Sequence, residues 1–110
     1  MNTEPKAGEI WIADLGFAAK TRPILVLAYP DDEDARALVV VAALTGTIRG
    51  IKGEVYIGKP RFLEKESAVV VQSLASLDKS KLVKRLGVLS NTHLDEVKEA
   101  LKVLLQLTFG

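Results

Sequence analysis

The chain has no cysteine and only one histidine, His93, among its 110 residues. Disulfide bonds, thiolate nucleophiles and thiolate metal sites are therefore excluded, and so is a cage of several histidines within one chain. An excess of one charge is also lacking, because fifteen Lys and Arg residues against fourteen Asp and Glu residues give a net charge of +1. Without a general positive charge, any contact with nucleic acid requires a local basic patch.

Long apolar runs are missing as well. No uncharged apolar segment approaches the ~18 residues that a membrane span requires, and the polar N-terminus predicts no signal peptide. We therefore expect a cytoplasmic protein with no membrane contact. The residues that are present, 48% hydrophobic and 26% charged, are typical of a globular protein with a core. The length suits one domain, which we expect to span residues 1–110.

Short segments rich in β-branched and aromatic residues predict strands over most of the chain. The predicted strands are Glu9–Asp14, Ile24–Ala28, Ala37–Leu44, Glu54–Ile57, Ala68–Gln72 and Val83–Leu89. The second and third are continuous apolar runs, which predicts burial on both of their faces. The acidic residues 31–34 between them are expected to form a solvated connection.

The C-terminal region changes to a helical period. Apolar residues recur there at steps of three and four, namely Leu94, Val97, Leu101, Leu104 and Leu105. Ser90 is the predicted N-cap, and the helix is expected to end near residues 108–110. Five or six short strands and a closing helix predict a mainly β fold, built as a small antiparallel barrel or a half-open sheet.

The connection 16–23 carries polar groups that a simple turn does not require. Pro23 fixes its own φ and favours extended backbone at Arg22, so the guanidinium leaves the chain at a defined place. Together with Lys20, it forms a candidate anion site, since the planar guanidinium can hold two phosphate oxygens. An ion pair between Arg22 and a surface carboxylate is the alternative interpretation.

The connection 44–53 contains three glycines, two threonines and two cations. Glycines let backbone N–H groups approach a ligand, and threonine hydroxyls can donate to phosphoryl oxygens. The segment lacks the Gly-Lys-Ser/Thr ending of a nucleotide-binding loop. A hairpin whose threonines satisfy their own backbone fits the pattern equally well. The candidate ligand-binding residues here are Thr45, Thr47, Arg49 and Lys52.

Other candidates have weaker support. Gln72 and Ser73 flank the end of the fifth predicted strand, where they could position a ligand. His93 lies early in the predicted helix and is expected to act as a capping residue rather than a catalyst. Trp11 is expected in the core, and the basic residues in 79–85 are expected to form a solvated edge.

These segments together resemble the PemK/MazF family of toxins from bacterial type II toxin–antitoxin systems. The resemblance runs from about Gly8 to Leu107 and is carried by Gly8–Leu15, Arg22–Leu27, Val40–Thr45, Ser76–Leu82 and Arg85–Leu107. It implies a small β-barrel of the CcdB/PemK type that forms a homodimer. It also implies an antitoxin protein that lies across the RNA-binding groove, and a toxin–antitoxin complex able to bind operator DNA.

The resemblance further implies an endoribonuclease that cuts single-stranded RNA without a metal or another cofactor. The ribose 2′-hydroxyl attacks the adjacent phosphate and leaves a 2′,3′-cyclic phosphate and a 5′-hydroxyl end. By matching position, Arg22 and Thr45 are the catalytic pair. The residues to which we assign RNA binding are Lys20, Thr47, Arg49, Lys52, Gln72 and Ser73.

The sequence departs from the family at the end of the fifth predicted strand. Ala75 stands where many members carry an arginine, so a second phosphate-binding cation is lost. Arg49, Lys52 or a basic side chain of the other protomer are candidates to replace it. This departure favours an alternative function, a non-catalytic relative that binds nucleic acid or an antitoxin. A CcdB-like topoisomerase poison, acting through protein contacts near the C-terminal helix, is a more distant alternative.

Overall fold

The computed structural model describes residues 4–16, 21–29 and 37–107. Lys20 and the acidic connection 31–34 lie outside these ranges. The elements are β1 (Glu9–Asp14), β2 (Thr21–Ala28), β3 (Leu38–Thr45), β4 (Glu54–Gly58), β5 (Ser67–Asp78), a 3₁₀ turn (Lys79–Lys81), β6 (Leu82–Val88) and α1 (Asn91–Leu104). The predicted mainly β fold with a C-terminal helix is confirmed.

The six strands form one antiparallel sheet in the order β4-β5-β3-β2-β1-β6. In the described part of the chain β4 and β6 are the two edges of this sheet, so the sheet is open. Of the two predicted arrangements, the half-open sheet therefore describes the fold better than a closed barrel.

Both faces of the central strands are buried, as the continuous apolar runs predicted. Leu25 of β2 packs in a cluster between the sheet and the helix residue Val97. Ile24 and Val26, its neighbours in β2, pack in a second cluster that also contains Trp11. Because side chains alternate between the faces of a strand, adjacent apolar residues supply two separate cores. The expectation that Trp11 is a core residue is confirmed by its exposure of only 8%.

Strand β2 begins at Thr21, so Arg22 and Pro23 lie within the strand rather than in the connection before it. Arg22 pairs with Ala13 of β1, whereas the pairing of β2 with β3 starts only at Ile24. Pro23 therefore lies where no ladder to β3 has formed, and its missing N–H interrupts no bond between these two strands. The ends of β2 and β3 consequently separate at this position.

Strand β5 runs to Asp78, well beyond the predicted end at Gln72. An irregularity divides it, because Val41 of β3 faces Ala75 whereas Ala43 faces Val70. A single β3 residue is thus opposite the segment 71–74, which forms a bulge. Alternating polarity is lost in such a segment, and for this reason the sequence pattern ended the strand too early.

The helix begins as predicted, since the Ser90 side chain accepts a hydrogen bond from the His93 amide at 3.2 Å. It ends at Leu104, earlier than predicted. Gln106 adopts a φ of 56°, and the amides of Gln106 and Leu107 donate to the carbonyls of Val103 and Lys102. This pattern is a Schellman motif, which usually carries glycine at the left-handed position.

No helix in the described part of the chain is long and apolar enough to cross a membrane.

Candidate functional site

A groove of about 540 Å³ lies where the start of β2 meets the end of β3. The loop 59–66 closes one side of it, and β6 contributes to the floor. The residues that line the groove are Ile12, Arg22, Pro23, Leu44, Thr45, Gly46, Thr47, Phe62, Leu63, Glu64, Lys65, Ser67 and Leu86. Apolar residues from the strands thus meet polar and charged residues from the strand ends and the loop.

Arg22 and Thr45 come to this groove from neighbouring strands. The β2–β3 register pairs Ile24 with Ala43. Arg22 lies two residues before Ile24 and Thr45 two residues after Ala43, so both lie just beyond the paired part of the two strands, and both line the groove. Arg22 is exposed, and it takes part in none of the ion pairs among the described residues. Within that part of the chain, the alternative ion pair with a surface carboxylate does not form.

The Thr45 hydroxyl is held by a tight local turn. Its oxygen accepts a hydrogen bond from the Thr47 amide at 3.0 Å and lies 3.4 Å from the Thr47 carbonyl oxygen. The first contact fixes the position of the hydroxyl, whereas the second is long for an O–H donor. The turn therefore satisfies the backbone, as the hairpin interpretation predicted.

Lys65 is a groove residue that sequence reasoning missed. A Cβ atom built at Gly46 would clash with the Lys65 Cε and lie 2.6 Å from its Nζ, so the lysine side chain passes directly over the glycine. Only a residue without a side chain permits this approach. In the sequence, Glu64–Glu66 is an ordinary run of charged residues, which predicts a solvated surface. The approach of Lys65 to Gly46 joins two segments that are distant in the sequence, so no local pattern indicates it.

The loop 59–66 is anchored to the core on both sides of the groove. Leu63 is 6% exposed and belongs to the core cluster, and its amide donates to the Pro60 carbonyl at 3.0 Å. The Phe62 ring packs over Gly87 of β6, where an added Cβ would clash with a ring carbon. These contacts hold the wall that carries Lys65 against the sheet.

A buried carboxylate ties β6, which contributes Leu86 to the groove, to strand β1. Glu9 accepts hydrogen bonds from the Trp11 indole at 3.0 Å, the Lys6 amide at 2.9 Å and the Arg85 guanidinium at 3.1 Å. Burial alone would raise the pKa of Glu9, but these three donors outweigh it, so the pKa lies below its ordinary value.

The remaining predicted RNA-binding residues are distributed differently. Thr47 lines the groove, whereas Lys52 and Gln72 line a separate cavity of about 430 Å³ beside the C-terminal part of α1. The exposed Arg49 lies in the connection after β3, and its amide donates to a Glu54 carboxylate oxygen at 3.0 Å.

Ser73 lies in the β5 bulge and is engaged within the sheet. Its hydroxyl accepts from the Ala43 amide and donates to the Val70 carbonyl, both at 2.6 Å. Lys20 lies outside the described residues.

Comparisons with known proteins agree with this architecture. A curated relative named Endoribonuclease MazF, from Staphylococcus saprophyticus, is 29% identical across 93% of this chain and 92% of its own length. The solved structure of a mycobacterial endoribonuclease in complex with its cognate antitoxin superposes with a TM-score of 0.81. It shares 26% identity with this chain, covering 97% of this chain and all of that one.

A crystal structure of MazE–MazF from Deinococcus radiodurans is similarly close, with a TM-score of 0.77, 26% identity and coverage of 94% of this chain and 97% of that one. Residues 6–105 match the family described as PemK-like, MazF-like toxin of type II toxin–antitoxin system. The matched residues span nearly the whole chain and include every residue of the groove. The chain therefore belongs to the PemK-like, MazF-like toxins of type II toxin–antitoxin systems, and the resemblance seen in the sequence is confirmed.

Proposed function

We propose that the protein is an endoribonuclease that cleaves single-stranded RNA without a metal ion. The observation that carries this proposal is the convergence of Arg22 and Thr45, from two neighbouring strands, on one open groove. The relative that is 29% identical and named Endoribonuclease MazF supports the same reaction class.

The reaction is an internal transfer of the phosphoryl group. The ribose 2′-oxygen forms a bond to the adjacent phosphorus while the bond from phosphorus to the 5′-oxygen breaks. Water accepts the proton of the 2′-hydroxyl, and water also protonates the departing 5′-oxygen. The products are a 2′,3′-cyclic phosphate and a 5′-hydroxyl end, so every atom and proton is accounted for.

Arg22 and Thr45 act on the charge that develops during this transfer. Negative charge grows on the non-bridging phosphoryl oxygens, and the Arg22 guanidinium stabilises it through two parallel N–H donors. The Thr45 hydroxyl, oriented by the Thr47 amide, donates to one of the same oxygens. Arginine keeps its proton because its pKa exceeds about 12, so we assign it electrostatic stabilisation rather than proton transfer.

The assembly that we propose follows from the size of the groove and from the solved neighbours. An RNA of several nucleotides needs a longer binding surface than this groove offers, which favours a homodimer. One neighbour was solved in complex with its cognate antitoxin. By analogy, an antitoxin covers the groove of this protein in the cytoplasm, and the toxin–antitoxin complex binds operator DNA.

Cleavage of a single-stranded RNA in EDTA tests the proposed activity. We expect the purified protein to produce 5′-hydroxyl ends, and we expect Arg22→Ala to reduce the rate at least about ten-fold, the loss of one charge-assisted hydrogen bond. A metal requirement, or equal cleavage by Arg22→Ala, would contradict the mechanism. RNA binding without cleavage would instead support the non-catalytic alternative that the sequence left open.

A further inference from the structure

We propose that Lys65 is a phosphate-binding residue of the groove and supplies its second positive charge, beside Arg22. This inference rests on the proposed endoribonuclease function and adds a substrate-contacting residue to it. It answers a question raised by the sequence, which has Ala75 where many relatives carry a cation.

The position of Lys65 is the first argument. Its Nζ would lie 2.6 Å from a Cβ at Gly46, and Gly46 directly follows Thr45. Arg22 lines the same groove and comes from strand β2, whereas Lys65 comes from the loop 59–66. A lysine and an arginine that belong to different walls therefore line the groove that also holds Thr45. This arrangement suits a tetrahedral anion held from two sides.

The lack of a carboxylate partner is the second argument. In the described part of the chain the ion pairs involve Lys79, Arg85, His93 and Lys102, and Lys65 is absent from them. The neighbouring carboxylate of Glu66 accepts a hydrogen bond from the Tyr56 hydroxyl at 2.5 Å. Glu64 lines the same groove, but among the described residues it forms no ion pair with Lys65, so the Lys65 ammonium group is available to an anionic ligand.

The backbone of Lys65 is also fixed, which distinguishes it from a lysine on a free loop. The Ser67 hydroxyl donates to the Lys65 carbonyl at 3.1 Å, and Leu63 anchors the same loop in the core. Neither Arg49 nor Lys52 lines the groove. Among the replacements for the missing cation, the geometry thus favours a residue that the sequence did not suggest.

The negative charge that develops during the reaction explains what a second cation contributes to it. A phosphodiester carries one negative charge, and the transition state of the transfer concentrates additional negative charge on the phosphoryl oxygens. Arg22 alone faces that charge from one side. A second cation in the same groove stabilises the transition state more than the ground state, so its loss should lower the turnover rate as well as the affinity.

The test compares Lys65→Ala with Lys59→Ala, a matched control that removes an exposed lysine from the same loop outside the groove. We expect Lys65→Ala to lower kcat/KM for a single-stranded RNA roughly ten- to hundred-fold, as one lost charge-assisted hydrogen bond implies. We expect Lys59→Ala to match the wild type. Lys65→Arg should retain most of the activity, whereas Lys65→Gln should not.

Binding gives a second readout that does not depend on cleavage. With an RNA whose 2′-hydroxyls are methylated, the slope of log Kd against log salt should fall by about 0.7 in Lys65→Ala, the value for one phosphate contact on a single strand. The slope should stay unchanged in Lys59→Ala. An equal slope in all three proteins would overturn the proposed phosphate contact.

Gly46→Ala tests the approach of Lys65 to Gly46 by changing the glycine instead of the lysine. The added methyl group would displace the end of the Lys65 side chain, a change that the flexible side chain absorbs without disturbing the fold. We expect Gly46→Ala to lower activity in the wild-type background and to have little further effect in the Lys65→Ala background. Additive effects would overturn the proposal.

The failures of the two proposals can be told apart. If the wild-type protein cleaves RNA and Lys65→Ala cleaves it equally well, the role of Lys65 is overturned and the nuclease stands. If the wild-type protein cleaves no RNA, the nuclease is overturned. The salt slope of binding then still decides whether Lys65 contacts a phosphate.

Discussion

Two arginines on opposite sides of strand β1 have contrasting environments. Arg85, on the β6 side, pairs with the buried carboxylate of Glu9 at 3.1 Å. Arg22, on the β2 side, is exposed and has no ion-pair partner among the described residues. The comparison teaches that one strand separates a paired arginine, which stabilises the fold, from an exposed arginine to which we assign substrate binding.

The largest expected effect concerns the wall that carries the second groove cation. Leu63→Ala should lower the free energy of unfolding by about 2–5 kcal/mol, because it removes a core side chain and leaves a cavity. Activity should fall with it, since the loop loses its anchor. Chemical denaturation measures the loss of stability. Stability within about 0.5 kcal/mol of the wild type, the range of ordinary surface substitutions, would show that the loop is not held by the core.

The contrast between the two arginines gives a crossed prediction. Arg22→Ala should cost at least about ten-fold in RNA cleavage and leave the melting temperature unchanged. Arg85→Ala should do the reverse and lower stability by about 1 kcal/mol, because Glu9 loses one of its donors. Cleavage assays and thermal unfolding on both variants check the pattern. Loss of activity in both variants to the same extent would break the comparison.

The pH dependence of the free energy of unfolding tests the Arg85 side of this comparison, because Arg85 is paired with Glu9. The pKa of Glu9 is lowered in the folded protein. Its carboxylate therefore stabilises the fold above about pH 4.5, the ordinary value, and this contribution is lost as the pH falls through the folded pKa. Glu9→Gln should flatten the loss of stability in acid. Chemical denaturation across this pH range measures the change, and an acid limb in Glu9→Gln as steep as that of the wild type would contradict it.

The smallest expected effect lies at the end of the helix. Gln106 adopts a φ of 56°, a conformation in which glycine is unstrained. Gln106→Gly should raise the free energy of unfolding by about 0.5–1 kcal/mol. It should leave RNA cleavage unchanged, because this turn is far along the chain from the groove. A decrease in stability would show that the glutamine side chain has contacts that outweigh the backbone strain.

The parts of the fold that the sequence predicted are those with local physical signals. The bounds of β1 and the Ser90 cap follow from strand-forming residues and from a short polar side chain before an amphipathic period. The end of the helix had no such signal, since glutamine rarely occupies a left-handed position.

The groove residues also divide into those with a local signal in the sequence and those without one. Arg22 and Thr45 could be selected because each lies in a recognisable strand and matches a position of the family that the sequence resembles, and both residues line the groove. Lys65 could not be selected, because its significance depends on its approach to Gly46 from another part of the chain. Contacts between distant segments arise from tertiary packing and leave no trace in a local pattern.

The irregular segment 71–74 gives the longest strand two independent registers. Ala43 is opposite Val70, so in an unbroken antiparallel register Val41 would be opposite Gln72. It is opposite Ala75 instead, an offset of three residues. This odd offset exchanges inward and outward side chains between the two halves. A change in the length of this segment would therefore reorient Ala75 and the residues after it, while the half of β5 next to the groove keeps its alignment.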